Sequence, residues 1–332
     1  MSVQLMGDLP SSRVTPSRPF STSGLDYAGP FQVRVSKGRG VRPSKVYVAL
    51  FLCFSTKAIH FELVGDLTTA SFLAAFRRFT GRLGNCQQIY SDNGSTFQGA
   101  ARELREMFHA ASQFYKEIAV VLANDFTSWN FIPPNTPHCG GLWEAGVRST
   151  KHHVKRVLGE QVLTYEEFST LLVEIEACLN SRPLCPMSGD VDDLNALTPA
   201  HFLIGTHSGL LPEDDSTQGP INRLDRFQLI QRVRNSFWKR WSTEYLHHLQ
   251  TRNKWQTRKE NVTVGQLVCM RDDRYPPAKW PLGRIIELHP SVDGTVRVVT
   301  IKTATSRFRR HISPLCPLYT TDQEAVLLSN IS

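Results

Sequence analysis

Ile89-Tyr90-Ser91-Asp92-Asn93-Gly94-Ser95-Thr96-Phe97 is the stretch whose reading decides the fold. An apolar pair enters as a short strand, an acid ends it, and Asn-Gly is expected to turn the backbone because both residues tolerate a positive φ. Asp92 then sits at a strand end facing a cleft. A carboxylate held there suits Mg²⁺, which takes hard oxygen ligands and keeps several waters for its substrate. The same letters also describe a plain turn, so the reading depends on which other acids join Asp92.

Working outward toward the amino terminus, Gly24 to Phe31 reads as a strand closed by Gly-Pro, with Val33 and Val35 continuing it past a bulge. The apolar run Val46 to Cys53 is expected of a central strand covered on both faces, and Ala58 to Val64 is a third strand. Thr68 or Thr69 caps a helix whose Phe72, Phe76 and Phe79 recur at core spacing, and Gly81 and Gly84 stop it. On the other side, Gln98 to Met107 reads as helix, His109 to Ser128 has no clear period, and Trp129 to Ile132 is a short strand. A Pro- and Gly-rich loop, Pro133 to Gly141, leads into a helix from Leu142 to Leu158. Thr164-Tyr165-Glu166-Glu167 is a capping box for a helix with Phe168, Leu171, Leu172, Ile175 and Leu179 on one face. This succession predicts an α/β core over residues 21–206, a mixed sheet flanked by helices, and resembles the ribonuclease H-like layout.

The 332 residues are 41% hydrophobic and carry a net charge of +8. From Asn222 to Glu260 ten basic residues face three acids, so this segment holds nearly the whole excess and favours a polyanionic partner. Residues 1–20, with three prolines, read as a lead-in linker, and 207–224 as a second linker. Residues 225–260 predict a basic helical segment whose Ile230, Val233, Phe237, Trp241 and Tyr245 form an apolar seam. Residues 261–318 predict a small β-barrel of closely spaced strands, and 319–332 a tail. Seven cysteines without a Cys-x-x-Cys indicate neither a disulfide framework nor a zinc finger. The longest apolar run is far short of the ~20 residues a membrane helix needs.

Two further acids are candidates. Asp26 lies on the first strand, beside the strand that leads to Asp92 in a sheet of this order. Glu144 opens the helix after the Pro/Gly loop, and Arg148, Lys151 and Lys155 follow it at +4, +7 and +11, on one stripe of that helix. A carboxylate followed by three cations would track a phosphate backbone, whereas surface helices more often mix signs. Glu106 and Glu117 are rival third acids, but neither has the loop or the stripe.

Asp26, Asp92 and Glu144 resemble the Asp-Asp-Glu triad of retroviral and retrotransposon integrases. The matching runs are Gly-Leu-Asp26-Tyr-Ala-Gly-Pro, Tyr-Ser-Asp92-Asn-Gly-Ser-Thr-Phe and Pro137-His-Cys-Gly-Gly141-Leu-Trp-Glu144. Leu179-Asn180-Ser181-Arg182-Pro183-Leu184 is similar to the closing core helix motif of long-terminal-repeat retrotransposons, and Gly-Leu-Trp-Glu144-Ala with Lys279-Trp280-Pro281-Leu282-Gly283-Arg284-Ile285 resembles Bel/Pao-type elements. The resemblance implies a DNA integrase using two Mg²⁺ or Mn²⁺ ions held by the three acids. It implies DNA contacts from Asn93, Arg148, Lys151, Lys155, Arg232, Lys239 and Arg240, and a small SH3-like barrel after the basic helix. A homo-oligomer, a nuclear location and a chromatin or other protein partner for the barrel are further implications. Two departures stand out: fifty-one residues separate Asp92 from Glu144, more than is common among retroviral integrases, and no His-His-Cys-Cys zinc spacing occurs. The expectation is an integrase without its amino-terminal domain. His152-His153 and His247-His248 are expected at the surface.

Overall fold

A computed structural model describes residues 15–34, 36, 42–114, 126–131, 141–159, 161–211, 226–250, 262–272 and 274–319, without the side chains of 110–114 and 141–149. The chain forms two compact units, residues 1–176 and 177–332.

The first unit is a mixed α/β layer structure. Strands β1 (Thr22–Arg34), β2 (Ser44–Cys53), β3 (Ile59–Val64), β4 (Gln88–Ser91) and β5 (Ser128–Phe131) lie in the order β3-β2-β1-β4-β5, and β6 (Leu163–Thr164) pairs with the far end of β1. The first three are antiparallel; β4, β5 and β6 run parallel to their neighbours. β2 is buried from Val48 to Cys53, as its unbroken apolar run requires. The pairing of β1 with β2 shifts between Ala28 and Phe31, at the bulge the Gly-Pro pair predicts.

Helix α1 (Thr69–Leu83) begins where the Thr68 hydroxyl accepts from the Ser71 amide, and it buries Phe72, Phe76 and Phe79. It runs through Gly81 and ends at Gly84 alone, whose φ of 84° suits a residue without a side chain. Helix α2 (Ser95–Phe114) is longer at both ends than the Gln98–Met107 segment, and part of the unassigned stretch is its last turns; residues 115–125 lie outside the described set. Helix α3 (Gly141–Leu158) lies against β1. Helix α4 (Tyr165–Asn180) starts with the expected capping box, since Thr164 N donates to Glu167 Oε2 at 2.7 Å and Glu167 N to Thr164 Oγ1 at 3.3 Å.

A charged cluster fastens the β3 edge. His60 and Glu62 are buried, and each His60 ring nitrogen faces a carboxylate, Glu176 at 3.2 Å and Glu62 at 3.1 Å. Glu62 also accepts from Arg78 at 2.7 Å and Arg82 at 2.8 Å. Burial opposes a charge on His60, but the hydrogen bonds and charges of Glu176 and Glu62 outweigh it and raise the imidazole to about 9. A folded value above the ordinary ~6.5 means this stabilisation is complete below that pH and fades as pH rises through about 9. Chemical denaturation midpoints should therefore fall between about pH 6.5 and 10, and His60→Gln should flatten that part of the pH profile while lowering stability near pH 6.

The second unit contains β7 (Cys185–Pro186) paired with β8 (Ala196–Leu197), α5 (Pro199–Ile204), α6 (Arg226–Leu249) and a sheet. That sheet has five antiparallel strands: β9 (Leu267–Met270), β10 (Leu282–Pro290), β11 (Val296–Lys302), β12 (Arg307–His311) and β13 (Leu315–Pro317). Its order is β12-β11-β10-β9-β13 around Val268, Ile285, Val299 and Ile301. The end strands β12 and β13 do not pair, so the expected barrel is not closed among the described residues. α6 buries the seam residues Ile230, Val233, Phe237 and Trp241, and also Leu229, Gln231, Arg234, Trp238 and Leu246. Its buried face is thus wider than the seam, because Trp238, Trp241 and Tyr245 converge edge-on around Trp280.

The Leu179–Leu184 and Lys279–Ile285 runs meet here. Trp280 Nε1 donates to Ser181 Oγ at 3.0 Å, and Tyr245 Oη donates to the Pro183 carbonyl at 2.7 Å. Gly283 passes so close to β11 that an added Cβ would stand 2.5 Å from Ile301 Cγ2. The guanidinium of Arg284, 2% exposed, donates to the carbonyls of Ser188, Asp193 and Gly265, each at 2.7 Å.

Candidate active site

The site is built where β4 ends beside β1. Gly24 of β1 is level with Tyr90 of β4 in the last pair of that parallel ladder; Asp26 lies two residues further along β1, and Asp92 two residues beyond Tyr90, just past the end of β4. Neighbouring strands are about 4.8 Å apart. β4 holds β1 only at Thr22–Gly24 and β6 only at Val33–Arg34, so among the described residues the stretch between them has no strand on that edge. Asp26 opens this notch, and Asp92 stands at its rim, one residue past β4. Crevices at the carboxyl ends of parallel strands, where the chain switches direction across a sheet, are the usual place for ligands in open α/β folds.

Asp92 is set by its backbone. Trp129 Nε1 on β5 donates to Ser91 Oγ at 2.9 Å, and the buried Ser91 hydroxyl donates to the Asp92 carbonyl at 2.9 Å. The Asp92 carboxylate accepts from Gly94 N at 3.0 Å, and the amides of Phe97 and Gln98 both donate to the Gly94 carbonyl. Neither Asn93 nor Gly94 takes a positive φ. The expected tight turn is instead an Asp-capped entry into α2, in which a Cβ added at Gly94 would lie 3.1 Å from Asp92 Oδ1 and crowd the carboxylate. Beneath it Phe97 stacks on Tyr27 with centroids 5.1 Å apart, so the residue after Asp26 braces the helix after Asp92. Burial, helped by Asp66, raises the Tyr27 phenol well above its ordinary value and keeps it neutral. Ser91, Trp129 and Tyr27 escaped sequence reasoning; a buried serine before a strand-end acid and an indole on the neighbouring strand carry no local signature. Trp129→Phe keeps an aromatic side chain but loses the indole N–H and part of the ring, so if the site is catalytic, turnover should fall about tenfold or more with unchanged nucleic-acid affinity, measured by single-turnover kinetics beside a filter-binding titration.

Asp26 receives two donors: Tyr27 N at 2.6 Å on Oδ1 and Lys151 Nζ at 2.9 Å on Oδ2. Lys151 comes from α3 and is the member of the basic stripe that the described residues bring to the notch. Glu144 lies seven residues earlier on the same stripe, about 10.5 Å along the axis; its side chain and that of Arg148 lie outside the described residues. Lys155 is exposed, as are Asp92 and Asn93. Among the described residues no three His, Cys, Asp or Glu side chains converge on a metal position. Elsewhere, Lys239 and Arg240 are exposed on α6 and Arg232 is half-buried. His152, His247 and His248 are at the surface, but His153 is 5% exposed, against expectation, because the inner face of α3 packs on the sheet.

A family model described as a family of unknown function (DUF5641) matches residues 225–318, which span α6 and the C-terminal sheet. No curated protein matches the chain. Solved structures similar to it include a simian T-cell lymphotropic virus intasome in complex with the PP2A regulatory subunit B56 gamma, at 11% identity and a TM-score of 0.36, covering 92% of this chain and 80% of that one. Two structures of the HTLV-2 integrase catalytic core domain in complex with magnesium, a trimeric and a dimeric form, are similar at 14% and 13% identity, each with a TM-score of 0.32 and covering 56% of this chain and 97% of that one.

Proposed function

We propose that the chain is a DNA integrase of ribonuclease H-like fold, joining the 3′-hydroxyl of one DNA end to a second DNA by metal-dependent phosphoryl transfer. The observation that carries this reading is the parallel β1–β4 ladder, whose last pair stands two residues before Asp26 on one chain segment and two before Asp92 on the other, beside a notch where Lys151 of α3 meets Asp26. The strand order β3-β2-β1-β4-β5, with three antiparallel strands followed by two parallel ones, supports it. So does the Bel/Pao-like motif set.

The donor set fits a hard divalent cation: two carboxylates beside one notch, with an ammonium already seated against one of them in the place of a positive ion. Asp26, Asp92 and Glu144 would hold magnesium or manganese, which when bound activates an attacking oxygen and neutralises the leaving oxygen. The chain's own residues do the positioning. The Trp129-Ser91 relay and the Tyr27-Phe97 stack fix where the two strand acids stand. Asn93, Arg148, Lys151 and Lys155 would line up phosphates along the notch. Arg232, Lys239 and Arg240, with the C-terminal sheet, would add sequence-independent grip that weakens steeply with salt. An oligomer acting on nuclear DNA follows from the same reading.

A gel with a labelled DNA end tests this. Joined products with Mg²⁺ and none without it are expected. Cleavage without joining would favour a ribonuclease H-like nuclease, and retention of DNA without either would favour a silent, transposon-derived adaptor.

A further inference from the structure

We propose that the Lys151 ammonium is a resident counter-cation for Asp26, occupying the carboxylate until a divalent ion displaces it. The inference rests on the metal-dependent reading above. Asp26 and Asp92 each lie two residues past the last β1–β4 pair, and carboxylates gathered at one notch repel unless a positive charge lies near. Helix α3 supplies one. Lys151 Nζ stands 2.9 Å from Asp26 Oδ2, while Oδ1 is already engaged by the Tyr27 amide. The lysine thus covers the oxygen that has no backbone donor, and an ion bound through Oδ2 must displace it.

The pair is built to exchange. Its side chains are 35% and 27% exposed, which leaves room for an ion to approach and water to receive the ammonium. Lysine carries its charge on a flexible four-carbon stem and can swing away without moving the helix. The lysine and the ion then compete for one carboxylate, so the apparent metal affinity is reduced by the fraction of molecules in which the lysine is seated. By the same linkage, metal binding frees the ammonium. Once released, it lies on the stripe shared by Glu144 and Lys155, able to meet a phosphate. Cation loading would thus prepare the nucleic-acid contact.

Titration of the full chain with Mn²⁺, with free ion read by electron paramagnetic resonance, tests this without any turnover. Lys151→Met and Lys151→Gln should each bind Mn²⁺ about fivefold more tightly than the wild-type chain, the size of a partly exposed charge interaction. Lys151→Arg, which keeps the charge, should stay close to wild type. Asp26→Asn should lose the site. Unchanged or weaker binding by both neutral variants, with Asp26→Asn still losing the ion, would overturn the counter-cation and leave the metal reading intact. Binding indifferent to Asp26→Asn, or absent from every protein, would overturn both.

Discussion

Asp92→Asn is expected to abolish DNA strand transfer, by about a thousandfold or more, while DNA affinity changes little. The substitution preserves shape. The amide oxygen of the new side chain can still accept from Gly94 N, and the Trp129-Ser91 bonds to the backbone carbonyl do not involve the side chain. What disappears is one of two negative charges at the notch, and with it the capacity to neutralise a divalent cation. DNA affinity, carried by lysines and arginines elsewhere, should respond to salt and not to this change. Gel quantification of joined product with Mg²⁺, beside a fluorescence anisotropy titration, separates the two quantities. A variant retaining more than about a tenth of wild-type joining is incompatible with Asp92 as a metal ligand.

The second large effect concerns stability. Arg284→Met should lower the melting temperature of the chain by about 10 °C, corresponding to about 3–5 kcal/mol. Methionine fills much of the same volume but donates nothing. Three carbonyls, of Ser188, Asp193 and Gly265, would lose the buried guanidinium that partners them at once, and the 188–193 segment would lose its tie to β10. Arg284→Lys should recover only part of the loss, because one ammonium cannot reproduce a planar fork reaching three acceptors. Differential scanning calorimetry of the three proteins measures it, and equal melting temperatures would exclude this role for Arg284.

Much of the first unit was legible because it is built from local signals. The apolar run of β2, the phenylalanine period of α1 and the Thr164-Glu167 box each state their own structure within a few residues. The stretches that carry Asp26 and Asp92 were legible for the same reason, since the strand holding one and the short strand leading to the other could both be read, and these two strands pair. The rest was set by partners distant in sequence. Whether Asn93 and Gly94 turn with a positive φ depends on α2 starting at once behind them, since an immediate helix leaves no tight turn to make. The breadth of the buried face of α6 depends on Trp280, far along the chain, and the purpose of Ser181 in its Asn-Ser-Arg-Pro run appears only when the Trp280 indole is beside it. β6, with two residues, and the β7-β8 pair are too short to show a period of their own. His153 shows the same limit: adjacency to His152 marks a helix position, but the packing of α3 on β1 decides which of the two is covered.

A crystal of the chain grown with Mn²⁺, read through the anomalous signal of the metal, shows whether Asp26 and Asp92 share a divalent cation. A peak about 2.1 Å from a carboxylate oxygen of each aspartate is expected, with Lys151 Nζ withdrawn from Asp26. A well-ordered notch with no peak at saturating Mn²⁺, or with the ion held elsewhere while Lys151 remains on Asp26, would contradict it.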